Sequence, residues 1–234
     1  MMSEARVYLI PVPLDEESIR TIPSYVVDLV KTCQVFYVEN ERTARRFLKR
    51  IWKEMIIDNY DWHAIDKKES KSIPEYIDQL RKGKVIGILS EAGCPGVADP
   101  GQFLVAAAQE LGIVVKPLVG PSSILLGLMA SGMNGQQFQF VGYLPIDRQS
   151  RVRRIKELEI ESRKKKCTQI FIEAPYRNNH LLTDILNVCQ ADTRLCIGTN
   201  ITGKDENIRT KRIVAWKKIM PDLNKMPVIY LLMA

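Results

Sequence analysis

The sequence is poor in the residues that build metal centres and disulfide frameworks. Its 234 residues contain two histidines, His63 and His180, and five cysteines: Cys33, Cys94, Cys167, Cys189 and Cys196. No two cysteines stand in a CxxC spacing and their number is odd, which excludes a recognisable disulfide framework or structural zinc site. With the histidines far apart, a histidine-based metal centre is not expected either. There is no run approaching the ~20 apolar residues of a spanning helix. The amino-terminal stretch MMSEARVYLIPVPLDEES is interrupted by Pro11 and Pro13 and makes a poor signal peptide, so the expected location is the cytoplasm with reduced thiols. Nucleotide and nucleophile fingerprints are missing as well: no GxGxxG follows a strand, and neither GxxxxGK[ST] nor GxSxG occurs. The chain shows no internal repeat or low-complexity segment.

What is present is ordinary globular material with a basic balance. Hydrophobic residues make up 46% and charged residues 26%, and the formal net charge is +7. The length suits one large or two small domains. A positive balance is compatible with nucleic acid, an anionic cofactor or an acidic substrate.

Helix and strand patterns alternate along the whole chain, which predicts an α/β fold. Strands are expected at Arg6–Ile10, Val35–Val38, Ile56–Tyr60, Val85–Leu89 and Ile113–Val115. Helices are expected at Ile22–Thr32, Glu41–Ile51, Ser72–Lys82 and Gln102–Leu111. This succession implies a parallel sheet covered by helices. The segment KPLVGPSS around Lys116–Ser123 reads as the boundary between an N-terminal α/β domain, residues 1–118, and a C-terminal α/β domain with a mixed sheet, residues 119–234. In the second half, helices are expected at Ile124–Ser131, Arg151–Lys166 and Asn178–Cys189. Strands are expected across QFQFVGYLP and at Thr168–Glu173, Leu195–Thr199, Ile208–Ala215 and Val228–Met233.

Two loops carry chemical information. Ser90-Glu91-Ala92-Gly93-Cys94-Pro95-Gly96-Val97-Ala98-Asp99-Pro100-Gly101 follows a buried strand, where open α/β sheets place ligands. Its small residues permit close backbone approach, and Asp99 followed by Pro100 reads as a helix start. The same residues also suit a plain tight connection. The second loop, Gly120-Pro121-Ser122-Ser123, offers hydroxyls either to a ligand or to the cap of the next helix.

These segments resemble a known family. Ser90–Gly101 is similar to the S-D-A-G-x-P…D-P-G signature of the ribosomal RNA small-subunit methyltransferase I branch of the tetrapyrrole-methylase superfamily. Pro117–Ser123 resembles its P-x-P-G-P-[CS] segment, Phe140–Pro145 its F-x-G-F-L-P, and Phe171–Arg177 its F-Y-E-S-P-x-R. The four occur in order across nearly the whole chain. The resemblance implies two α/β domains with S-adenosylmethionine bound in the cleft between them, S-adenosylhomocysteine as product, a homodimer, and 2′-O-methylation of a ribose in ribosomal RNA. Carried over motif by motif, the implied cofactor contacts are Pro13, Ser90, Gly93, Cys94, Pro95, Val97, Ala98, Ser122, Ser123, Ile172, Glu173, Pro227 and Val228. The chain departs from the branch in four places, among them A-E-D-T-R, here Val38-Glu39-Asn40-Glu41-Arg42-Thr43, and K-G-E-x-V, here Lys225-Met226-Pro227-Val228. T-P-I-G-N-L is here Val12-Pro13-Leu14-Asp15-Glu16-Glu17, without the glycine, and the acidic residue of A-R-E-L-T-K is here Asn200.

Methyl transfer from a sulfonium needs alignment and solvent exclusion more than it needs a metal. A ribose hydroxyl is weakly acidic, so a nearby base helps. Glu39 and Glu173, at expected strand ends, are the candidate catalytic carboxylates, although a carboxylate so placed also commonly accepts backbone N–H groups. Candidate RNA contacts are Arg42, Arg148, Arg151, Arg153, Arg154 and Arg177, with Tyr143 and Tyr176 as stacking surfaces. Lys164–Lys166 read instead as a solvated helix face balanced by Glu157, Glu159 and Glu161. Two further readings stand beside the RNA methyltransferase: methylation of a tetrapyrrole or another acceptor, and a catalytically silent protein that binds cofactor or RNA.

Overall fold

The structure, a computed structural model, describes residues 5–65 and 72–234. The chain forms two compact units, Met1–Ser122 and Ser123–Ala234. Among the described residues no helix is long and apolar enough to cross a membrane.

The first unit is built on five parallel strands in the order β3-β2-β4-β1-β5: β1 (Arg6–Leu9), β2 (Val35–Val38), β3 (Asp61–Ala64), β4 (Val85–Leu89) and β5 (Val114–Pro117). Helices α1 (Tyr25–Val30), α2 (Glu41–Ile51), α3 (Ile73–Arg81) and α4 (Gln102–Glu110) join them. The inner strands β2 and β4 carry continuous apolar runs because both of their faces are buried, whereas the edge strands β3 and β5 are largely exposed. Tyr8, Ile10, Phe36 and Val38 pack with Val26 and Leu48 on one face, while Val7, Val35, Tyr37 and Ile86 pack with Tyr76 and Leu104 on the other. Gly87 leaves room at the sheet centre: a Cβ there would lie 2.7 Å from Ile10 Cδ1 and 2.8 Å from Phe36 Cδ1.

Three expectations need correction here. Ile56–Tyr60 is not a strand. Residues 57–59 form a 3-10 turn, and β3 begins at Asp61 because its register stacks Trp62 on Phe36 and His63 on Tyr37, with ring centroids 4.8 Å apart in each pair. The first helix is shorter than Ile22–Thr32, since residues 19–21 form a separate 3-10 turn before Pro23. Asp99 does not cap α4. Gly101 takes that position at φ +120°, and Asp99 is hydrogen-bonded to Ser90.

The second unit is a mixed sheet in the order β6-β7-β10-β8-β9: β6 (Phe138–Tyr143), β7 (Thr168–Ile172), β8 (Arg194–Thr199), β9 (Asn207–Arg212) and β10 (Val228–Met233). β6 and β7 run parallel, and the remaining neighbours are antiparallel. Helix α5 (Ser123–Ser131) packs on β9 and β10, and Gly127 lies tight against Ile229 and Leu231. Helices α6 (Arg148–Lys165), α7 (Asn178–Val188) and α8 (Ile213–Trp216) contribute Ile155, Leu158, Leu182, Ile185 and Trp216 to a core shared with Phe171, Leu195 and Tyr230. The strand expected at Ile208–Ala215 stops at Arg212. Ile213 and Trp216, three residues apart, both reach the core only from a helical turn, and Trp216 Nε1 donates to the Leu195 carbonyl at 2.8 Å.

Candidate functional site

All strands of the first sheet run in one direction, so the segments after β1, β2, β4 and β5 emerge along the same edge. The segment after β1 is tied to the Ser90–Gly101 loop by a two-way backbone pairing: Val12 N–H donates to the Gly93 carbonyl and Gly93 N–H to the Val12 carbonyl, each at 2.9 Å. Gly93 sits at φ +72°, where its absent Cβ would meet Leu14 Cδ2 at 3.3 Å and the Pro121 carbonyl at 3.6 Å. Gly96, Ala98 and Gly101 also have positive φ, so the loop curls repeatedly within nine residues. Pro95 is buried under it, and Val97 and Ala98 are exposed at its tip. Cys94 Sγ lies 3.5 Å from the Pro121 carbonyl. Gly120 approaches Pro11 so closely that a Cβ would lie 2.0 Å from Pro11 Cβ. Pro13, the Gly93–Ala98 segment and Pro121-Ser122 are thus brought together in the first unit. Ser122 and Ser123 are partly exposed, and neither hydroxyl hydrogen-bonds among the described residues.

An acidic group lines the same edge. Glu39, just past β2, accepts the Glu91 backbone N–H on Oε2 at 3.1 Å, which is the structural use of a strand-end carboxylate. Glu91 in turn accepts the Thr43 hydroxyl. Asp99 is half-buried beside them, and its carboxyl is pushed up to about 6, first by burial and then by the Glu39 charge, against a lowering hydrogen bond from Ser90. Asp99 is a candidate that sequence reasoning missed: there it reads as a helix cap, and only the fold sets it near Glu39.

A cavity of about 110 Å³ opens beside this edge, lined by Pro13, Thr43, Arg46, Arg50, Ser90 and Glu91. Its two guanidiniums are engaged by the segment that replaces the glycine-containing loop. Arg46 meets Glu16 at 2.7 Å, and Arg50 reaches the Glu16 carbonyl at 2.7 Å and the Glu17 carboxylate at 3.9 Å. Arg45 pairs with Glu41, and Lys49 Nζ donates to the carbonyls of Lys53 and Met55. Arg42 is exposed and makes no side-chain pair among the described residues; its backbone N–H donates to the N-cap Asn40.

In the second unit, Glu173 is buried just after β7. Its Oε1 accepts the Ala174 N–H at 2.7 Å and Arg177 Nε at 2.9 Å, while Oε2 is buried and takes no hydrogen bond among the described residues. The pairing with Glu173 holds Arg177 more firmly in its charged form, and the guanidinium lies 5.4 Å from the Tyr176 ring. Tyr143 and Tyr176 are exposed, at 59% and 67%. Ile172 ends β7, and Val228, directly after Pro227, opens β10, whose register sets Ile229 opposite Ile172.

Among the basic residues expected to hold RNA, Arg151 is corrected. It is 6% exposed, and its Nε and Nη2 both donate to Asp184 Oδ2, at 2.9 and 2.6 Å. It faces inward because the helix stripe of Ile155, Leu158 and Ser162 carries it into the α6–α7 interface. Arg148 also reaches Asp184, at 3.2 Å, and Arg153 and Arg154 share Glu157 at 3.1 and 3.4 Å. Those three remain on the surface.

Comparison with known proteins places these features in context. A family model for Tetrapyrrole (Corrin/Porphyrin) Methylases matches residues 6–214. The chain is 29% identical over 202 residues to a protein named ribosomal RNA small subunit methyltransferase I from Vibrio cholerae, covering 86% of this chain and 67% of that protein. A relative of the same name from Buchnera aphidicola is 31% identical over 215 residues, covering 90% and 72%. The chain therefore spans about two thirds of the length of these relatives. The fold resembles that of uroporphyrin-III C-methyl transferase from Thermus thermophilus complexed with S-adenyl homocysteine, with TM-score 0.55, 16% identity and 97% coverage of both chains.

Proposed function

This chain belongs to the tetrapyrrole (corrin/porphyrin) methylase family and is an S-adenosylmethionine-dependent methyltransferase, and from that premise we propose that it methylates a ribose 2′-hydroxyl of small-subunit ribosomal RNA. The observation that carries this reading is the Ser90–Gly101 loop, cinched to Val12 and curled at four positive-φ positions, in a chain whose relatives bear the ribosomal RNA methyltransferase name. Such a loop suits a cofactor held by backbone groups. The proposed cofactor contacts in the first unit are Pro13, Ser90, Gly93, Cys94, Pro95, Val97, Ala98 and Ser122. Those in the second are Ser123, Ile172, Glu173, Pro227 and Val228. The unpartnered Glu173 Oε2 supports this assignment, since a buried acceptor gains from a donor on a ligand.

When bound, the cofactor supplies an activated methyl for in-line displacement. The chain supplies alignment and proton handling. Glu39 organises the loop through the Glu91 N–H, and Arg177 holds Glu173. Asp99, half-buried at this edge with its carboxyl raised to about 6, is the proposed proton acceptor for the hydroxyl. Tyr143, Tyr176, Arg42, Arg148, Arg153 and Arg154 are the proposed RNA contacts. Cytoplasmic location and homodimerisation belong to the same proposal; the exposed Leu125 and Met129 on α5 support the latter.

Calorimetric titration with S-adenosylmethionine and S-adenosylhomocysteine, beside Gly93→Trp, tests the cofactor loop. Transfer of labelled methyl to small-subunit particles tests the acceptor. Binding that the variant loses, followed by label in ribose, supports the reading. Binding with label in no ribosomal RNA overturns the acceptor.

A further inference from the structure

β9 is an edge strand, and its sequence Asn207-Ile208-Arg209-Thr210-Lys211-Arg212 sorts its side chains onto two faces. Thr210 Oγ1 donates to the Ser131 carbonyl at 2.7 Å, which identifies the face packed on α5. Asn207, Arg209 and Lys211 therefore point to the other face, opposite Thr199, Ile197 and Leu195 of β8. That face is covered only in part, because α8 is four residues long. What it leaves open is a cavity of about 320 Å³, within the size range of small-ligand sites.

Two cations face this cavity without a carboxylate partner. Among the described residues Arg209 makes no ion pair or hydrogen bond, and the Lys211 ammonium lies 6.0 Å from the Trp216 ring with no carboxylate beside it. Two residues apart on one strand, they stand about 7 Å from each other. The cavity also offers the Asn200 and Asn207 amides, neither bonded through its side chain among the described residues, and an apolar wall of Ile219, Pro221 and Met226. Of its two carboxylates, Asp222 is held by the Asn179 amide and the Asn224 N–H, which keep it in its ionised form, and Asp205 is exposed on the β8–β9 turn. At the end of β8, Asn200 N–H donates to the Pro227 carbonyl at 3.2 Å, so the cavity adjoins the start of β10.

Paired cations for phosphate, amides for a base edge and an apolar wall for a base face are the requirements of one unstacked nucleotide. We propose that this cavity is a subsite for a nucleotide of single-stranded RNA flanking the methylation target, with Arg209 and Lys211 on its phosphates. The proposal rests on the RNA reading above. Basic residues on an edge strand also discourage strand addition; the half-buried Lys211 and the cavity beside it go beyond that role.

The test is fluorescence anisotropy of a short labelled single-stranded RNA of small-subunit sequence, titrated with wild type and with Arg209→Gln/Lys211→Gln at several salt concentrations. Thermal melting and calorimetric binding of S-adenosylhomocysteine serve as fold controls. Loss of two phosphate contacts reduces the salt slope by about 1.4 and weakens binding roughly tenfold at moderate salt. Cofactor binding and melting stay unchanged. A variant that binds RNA with wild-type affinity and slope, while wild type methylates ribosomal RNA, overturns the subsite and leaves the RNA reading intact. A wild type that neither binds nor methylates RNA overturns both.

Discussion

Arg46 sets a guanidinium nitrogen 2.7 Å from the Glu16 carboxylate, and this one contact explains how the chain closes its first loop without a glycine. Asp15 accepts the Glu17 N–H at 3.0 Å, turning the backbone so that Glu16 and Glu17 face the basic side of α2. The acidic residues that replace the glycine segment thus occupy cations that would otherwise face solvent. Replacing both glutamates, Glu16→Gln/Glu17→Gln, exposes Arg46 and Arg50. The pairs are exposed, so chemical denaturation should show a loss below about 1 kcal/mol. RNA affinity measured by anisotropy should rise severalfold at low salt. Unchanged affinity would mean that this face does not meet polyanions.

Asp184 presents the opposite case. It is almost fully buried and accepts two bonds from Arg151. Asp184→Ala leaves a buried guanidinium without its anion and should destabilise the fold by about 3–5 kcal/mol in denaturant titrations. Adding Arg151→Met removes the stranded charge and should recover a large part of that loss. Equal losses in the single and double variants would refute the pairing.

Asp99 links stability to pH. Its carboxyl is raised from 3.8 to about 6 in the folded chain, so between these values the folded state holds a proton that the unfolded state has released. Stability from this group therefore falls as pH rises through that window, and the cost is fully present above about 6. Asp99→Asn should melt higher than wild type at pH 7, with the difference vanishing near pH 4. If Asp99 accepts the substrate proton, wild-type turnover rises with pH through about 6 and the variant loses that limb. A variant retaining the limb assigns it to another group.

Gly120→Ala probes the loop packing. The added methyl would collide with the Pro11 ring at 2.0 Å, and neither backbone can yield easily. Overpacking of this kind costs about 1–3 kcal/mol. Because Pro11 precedes Val12 and Gly120 precedes Ser122, S-adenosylhomocysteine affinity should fall with it. Wild-type affinity in calorimetry would separate this contact from the cofactor loops.

Most of the architecture is legible in local pattern. Buried parallel strands read as apolar runs such as Val35–Val38 and Val85–Leu89, and α2 begins and ends where its residues predict. The four family-like segments point to the chemistry through the resemblance they carry; as backbone pattern alone, the Ser90–Gly101 loop suits a plain tight connection as well as a ligand. Short-range pattern does not say which strand pairs with which. It therefore misplaces β3, whose start depends on Phe36 and Tyr37 across the sheet, and it overextends β9, whose end depends on the core that takes Trp216. The fate of charges is equally non-local. Arg148, Arg151, Arg153 and Arg154 look alike in sequence, yet Asp184, more than thirty residues away on another helix, buries Arg151, and Arg153 and Arg154 stay with a neighbour on α6. Asp99 becomes a perturbed acid only when β2 and β4 lie side by side and bring Glu39 to it. Backbone conformation follows from neighbouring residues, whereas burial, pairing and acidity are properties of the space that distant residues share.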